Sequence, residues 1–129
     1  MDLVAKVPVD QVHLYDSDWY YNNNAFRSPG AADIKDLIIP QRKVDYYKSM
    51  YSKMHKGIVV HPKISQTNIQ ELSNYNFAFI SIDKGAIKKS IIEALQSHQI
   101  AFIDVGMGVY NVNGSLTGLV RTTTSTPGR

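Results

Sequence analysis

Cysteine is absent from the 129 residues, so the chain forms no disulfide, no thiolate metal site and no thioester of its own. Long apolar runs are missing as well: none approaches the roughly 18 residues of a membrane span. The opening Met1-Asp2-Leu3-Val4 lacks the basic start and apolar stretch of a signal peptide, which makes the cytoplasm the expected compartment. Excess charge of one sign is small, with 14 Lys and Arg against 11 Asp and Glu. That balance suits an anionic ligand but not the concentrated basic stripe of a nucleic-acid binder. The four histidines, His13, His55, His61 and His98, stand without metal-ligand spacing. No internal repeat, low-complexity tract or G-x-G-x-x-G turn occurs, and Gly106-Met107-Gly108 reads as a turn far downstream.

What is present describes one α/β domain. Hydrophobic residues make up 43% and charged residues 19%, enough to bury a core. Residues 12–15, 58–61, 77–82 and 100–105 are short β-branched or aromatic runs separated by helix-like stretches, which predicts a mostly parallel, Rossmann-like sheet with crossover helices. Ile87, Ile91, Ala94 and Leu95 recur at helical spacing, with Lys88, Lys89, Glu93 and Gln96 on the other, solvated side. Residues 44–55 read as a second helix whose Tyr47, Met50, Tyr51 and Met54 share a face, and Tyr46 joins them as a core or interface residue. Thr67 or Asn68 caps a short helix through Leu72, and residues 33–39 form another before Pro40. Asn113-Gly114 predicts a hairpin between residues 109–112 and 115–120. The expected division is a domain over residues 1–121 and a polar tail over 122–129. Asp104, inside a buried-looking strand, requires a partner.

The densest chemistry follows the first strand, in Asp16-Ser17-Asp18-Trp19-Tyr20-Tyr21-Asn22-Asn23-Asn24-Ala25-Phe26-Arg27. Ligands of open α/β sheets bind beyond the carboxyl ends of the strands, where an acid commonly accepts from ribose hydroxyls. Asp16 stands at that place and reads either as the ribose ligand or as a turn aspartate bonding its own backbone. Amide and guanidinium donors such as Asn24 and Arg27 suit phosphate oxygens, while carboxylates suit ribose or a metal. Lys43 is either a phosphate ligand or a solvated lysine. Asp83, after residues 77–82, is either a helix cap or a Mg²⁺ ligand.

The pattern D-x-D-x₅-N-x-x-R, met by Asp16, Asp18, Asn24 and Arg27 and followed by Lys43 and Asp83, resembles the ThiF-type adenylyltransferases. That family includes the ubiquitin-activating enzymes and the activators of sulfur-carrier proteins. The resemblance implies ATP and Mg²⁺ as cofactors and a ubiquitin-like or sulfur-carrier protein as partner, with no nucleic acid or membrane, in a homodimer. It assigns Asp16 to ribose, Asn24, Arg27 and Lys43 to the phosphates and Asp83 to the metal. Catalysis then falls to Arg27, Lys43 and Asp83, and Asp18 matches the second motif acid. The interval from Arg27 to Lys43 is longer than is usual for the family, and Arg42 is the nearest rival of Lys43. The family's opening strand and glycine-rich turn are missing from this pattern, with residues 3–7 reading as the end of the following helix. A non-catalytic α/β scaffold for dimerisation or carrier binding is therefore the alternative. A dinucleotide-dependent oxidoreductase would leave Asn24, Arg27 and Asp83 without a purpose.

Overall fold

A computed structural model describes residues 1–83 and 85–128. The fold is mixed α/β, and the chain divides into two compact units, Met1–Ile64 and Ser65–Arg129. The first contains α1 (Asp2–Ala5), β1 (Val12–Tyr15), α2 (Asn22–Ala25), α3 (Ile34–Ile38), α4 (Lys43–Tyr51) and β2 (Ile58–His61). As the alternating pattern predicts, β1 and β2 pair in parallel, with Val12 opposite Ile58 and Tyr15 opposite His61. Ala5, Tyr51 and Ile58 are buried together, and Leu14, Tyr47 and Met50 pack against them. Tyr46 is buried against the stacked ring of Tyr20, 3.7 Å away between centroids. The tyrosines of α4 are thus core residues.

Three local departures from the sequence reading have plain causes. The helix expected over residues 44–55 stops at Tyr51, where the chain turns through Ser52 and leaves Met54 exposed. Asp33 caps α3 by accepting from the Lys35 amide at 3.1 Å, so that helix begins one residue later than expected. The loop after β1 contains the short helix α2, which the polar run Asn22-Asn23-Asn24 does not announce. Gly57 precedes β2 where a Cβ would overlap the carbonyl oxygen of Asp10. Its own carbonyl accepts from the Val12 amide at 2.9 Å, so this close approach helps set the strand register.

The Tyr51 hydroxyl donates to Asp2 Oδ1 at 2.8 Å. Burial first, and the neighbouring Asp2 second, push the Tyr51 phenol up to about 12 from 10.0. An unfolded tyrosine loses its proton near pH 10, so the stabilisation is complete below that value. It disappears as pH rises from about 10 to about 12. The urea midpoint of the first unit, followed by Trp19 fluorescence, is expected to fall across that window, and more gently in Tyr51→Phe. An equal fall in both proteins would show that Tyr51 is not responsible.

The second unit contains a 3₁₀ helix (Ile69–Asn74), β3 (Phe77–Ile80), α5 (Gly85–Ser97), β4 (Ala101–Val112) and β5 (Ser115–Ser125). Its strand order is β3-β4-β5, the first pair parallel across α5 and the second an antiparallel hairpin. Asn113 and Gly114 adopt φ of 52° and 83° at the hairpin turn, as their tolerance of positive φ predicts. The hairpin is longer than expected. Gly106-Met107-Gly108 lies inside β4 rather than in a turn, and Thr122–Thr124 of the expected tail pair with Val105, Asp104 and Ile103. Threonine favours a pleated strand once a partner strand is available. The mixed three-stranded sheet and the two-stranded parallel sheet are each complete within their own unit.

On α5, Ile91 and Leu95 are buried as the helical spacing predicts. Lys88 departs from its expected solvated place: its side chain is 14% exposed, and Nζ lies 2.6 Å from Oδ1 of the buried Asp104. The contact misses hydrogen-bond geometry despite its length, so the attraction is that of a close ion pair. Arg121, on the neighbouring strand, adds a longer contact of 3.7 Å to Asp104 Oδ2. Alternation along the strands places Ile80, Phe102 and Asp104 on one face of the sheet. Phe79, Met107, Val109, Leu116 and Val120 lie on the other and are exposed. Among the described residues, no helix is long and apolar enough to cross a membrane.

Candidate functional site

The site begins where β1 ends and the chain must turn. Asp16 Oδ1 accepts from the Asp18 amide at 2.8 Å, the self-bonding turn that is common for aspartate. Two strand-like contacts then tie the loop to the start of α4. Tyr20 N donates to Gln41 O at 2.9 Å and Lys43 N donates to Asp18 O at 2.9 Å, on either side of an antiparallel bridge between Trp19 and Arg42. These backbone bonds bring Lys43 beside Asp18, 25 residues earlier in the chain, and near Asp16. Its Nζ lies 2.8 Å from Asp18 Oδ2 and 3.9 Å from Asp16 Oδ2.

A surface depression of about 360 Å³ opens over this loop, lined by Asp18, Asn24, Arg27 and Lys43 together with Trp19 and Tyr21. Asn24 is buried and its Oδ1 accepts from the Tyr21 amide at 2.9 Å. The side chain therefore shapes the start of α2, and an anion would be served by its Nδ2 donors. Arg27 is exposed and makes no ion pair among the described residues. Arg42, the rival of Lys43, is committed elsewhere: its guanidinium carbon lies 4.0 Å from the Trp19 ring centroid and Nη1 donates to the Ser17 carbonyl.

The electrostatics are mixed. The side chains of Asp16 and Asp18 are 40% and 67% exposed, and ion pairs so open to water contribute about 0–1 kcal/mol. A phosphate approaching Arg27 and Lys43 therefore competes against a weak internal contact. Asp18 would repel that phosphate unless a cation lies between them. Among the described residues, no three His, Cys, Asp or Glu side chains are grouped to hold a metal ion. Mg²⁺ accompanying a nucleotide needs only one or two carboxylates, because phosphates and water complete its shell.

Five of the residues singled out from the sequence thus fall together: Asp16, Asp18, Asn24, Arg27 and Lys43. Asp83 belongs to the second unit, exposed between β3 and α5. Its expected capping role turns on the adjoining Lys84, which lies outside the described residues. Sequence reasoning missed Trp19 and Tyr21 as lining residues, although the aromatic run Trp19-Tyr20-Tyr21 between the acids and Asn24 was the available signal. It also missed the pairing of His13 and His61, which parallel strand register brings to 3.0 Å between Nδ1 and Nε2. Tyr15 stacks on the His61 ring at 4.1 Å between centroids. Comparison of the chain with protein-family models, with curated proteins and with solved structures finds no match.

Proposed function

We propose that the depression at the end of β1 takes the ribose and phosphates of ATP, in the chemistry that the D-x-D-x₅-N-x-x-R pattern resembles. That chemistry is adenylation of the C-terminal carboxylate of a ubiquitin-like or sulfur-carrier protein. The reading is carried by one observation: Lys43, from the start of α4, lines a single depression with Asp18, Asn24 and Arg27 of the loop after β1. Asp16 is the ribose ligand, while Arg27, Lys43 and the Asn24 amide hold phosphate oxygens through charge-assisted bonds. A carboxylate oxygen of the carrier attacks the α-phosphorus, the bond to the β-phosphate oxygen breaks, and pyrophosphate leaves. The resemblance alone assigns Asp83 as a Mg²⁺ ligand, and such a metal would supply positive charge to the phosphates. Without cysteine in these 129 residues, any thioester step occurs elsewhere. A mostly parallel, Rossmann-like scaffold with a C-terminal hairpin and a homodimer belong to the same proposal.

The Lys43–Asp18 pair and the Arg42–Trp19 contact favour a second reading, in which the cluster only clamps the loop to α4 within a non-catalytic scaffold. One experiment separates the two. Trp19 is the sole tryptophan and lines the depression, so its emission should change as Mg²⁺-ATP is titrated. Arg27→Ala and Lys43→Ala are each expected to weaken binding by about tenfold or more, the size of a charged hydrogen bond. Carrier-dependent exchange of pyrophosphate into ATP should follow and disappear in Asp83→Ala. If folded wild-type protein binds no ATP while Lys43→Ala lowers its stability, the clamp reading stands and the enzymatic one fails.

A further inference from the structure

The depression has a second chemical character that the D-x-D-x₅-N-x-x-R pattern does not call on. Trp19 and Tyr21 line it beside Arg27 and Lys43, and both residues remain open to solvent, 39% and 61% exposed. Trp19 is partly covered by Arg42, whose guanidinium lies 4.0 Å from the ring centroid. The backbone bridge between the same two residues fixes the approach of that cation. The indole is therefore held in place before any ligand arrives, which lowers the ordering cost of a stacked ligand.

Resting on the nucleotide reading above, we infer that Trp19 is the stacking platform for the base of a nucleoside triphosphate, flanked by Tyr21, while Arg27 and Lys43 engage the phosphates. An aromatic wall beside two cations matches a ligand with a planar ring at one end and a polyanion at the other. A purely inorganic polyphosphate would use the cations and leave the wall bare. Stacking on an aromatic is tolerant of base identity because every base offers a π-face. The platform thus supplies affinity for a nucleotide over phosphate alone rather than a choice between bases.

Calorimetric titration of the full chain with ATP and, separately, with inorganic tripolyphosphate tests this, both in the presence of Mg²⁺. Wild-type protein is expected to bind ATP at least tenfold more tightly than tripolyphosphate. Trp19→Ala should weaken ATP about tenfold, equivalent to ~1.4 kcal/mol, and leave tripolyphosphate affinity unchanged. Trp19→Phe, which keeps a ring, should recover most of the loss. Unchanged tripolyphosphate binding also shows that the loop is intact in the alanine variant. Equal affinity of the wild type for the two ligands, or equal loss of both in Trp19→Ala and Trp19→Phe, overturns the platform while leaving an anion site. Binding of neither ligand overturns the nucleotide reading and the platform with it.

Discussion

Lys88→Ala is expected to destabilise the second unit by about 3–5 kcal/mol, the cost of leaving a buried carboxylate without its partner. The Asp104 side chain is 5% exposed and Lys88 supplies its close cation at 2.6 Å; Arg121 stands farther off and is itself 66% exposed. Stranded in the interior, Asp104 must either remain charged in a poor solvent or take up a proton. Either outcome costs folding free energy. Replacing both partners with apolar residues, as in Lys88→Met with Asp104→Leu, should restore most of the loss, because the pair's attraction only offsets its own desolvation. Lys89→Ala is the control, since that side chain is 79% exposed and pairs with the similarly solvent-open Glu93, 63% exposed. Urea unfolding followed by circular dichroism measures the effect, and amide exchange at Phe102 and Asp104 locates it. A Lys88→Ala loss no larger than that of Lys89→Ala would show that the pair contributes nothing net.

Leu95→Ala should destabilise the same unit by about 2–5 kcal/mol, the usual range for a large-to-small change in a packed interior. Leu95 is 0% exposed and is the only large side chain among the described residues that is fully buried. Its carbonyl also accepts from the Ile100 amide at 2.9 Å where the helix gives way to β4. The volume lost on truncation therefore lies beside a backbone junction that limits collapse into the cavity. Leu95→Met, which nearly conserves volume, should cost less than about 1.5 kcal/mol. Denaturant midpoints for the two variants provide the test. Similar losses in alanine and methionine would point to leucine's shape, rather than its volume, as the determinant.

Much of the secondary structure was legible because it follows from local rules. The β-branched runs of β1 and β2, the 3.6-residue repeat of Ile87, Ile91 and Leu95, and the Asn113-Gly114 turn each depend on a few neighbouring residues. Boundaries were less legible because partners set them. β5 runs through Thr122–Ser125 because β4 offers backbone groups opposite those residues. Gly106 and Gly108 sit in a strand for the same reason, where glycine's turn preference is outweighed by ladder hydrogen bonds. Lys88 was misread as solvated because helical periodicity assigns a face but cannot see an aspartate on a strand after the helix.

The candidate site divides along the same line. The residues themselves determined the chemistry on offer: two acids, an amide and an arginine at fixed intervals after a strand, with no cysteine in the chain. Side-chain type and short-range spacing are properties of the covalent chain, so no fold is needed to read them. Tertiary structure decided which of those groups meet. The contact between residues 18–20 and 41–43 carries Lys43 to Asp18, turns Arg42 onto Trp19 and opens the depression beside two aromatic rings. Such proximity comes from long-range backbone pairing, whose geometry is fixed only when the loop and α4 fold against each other.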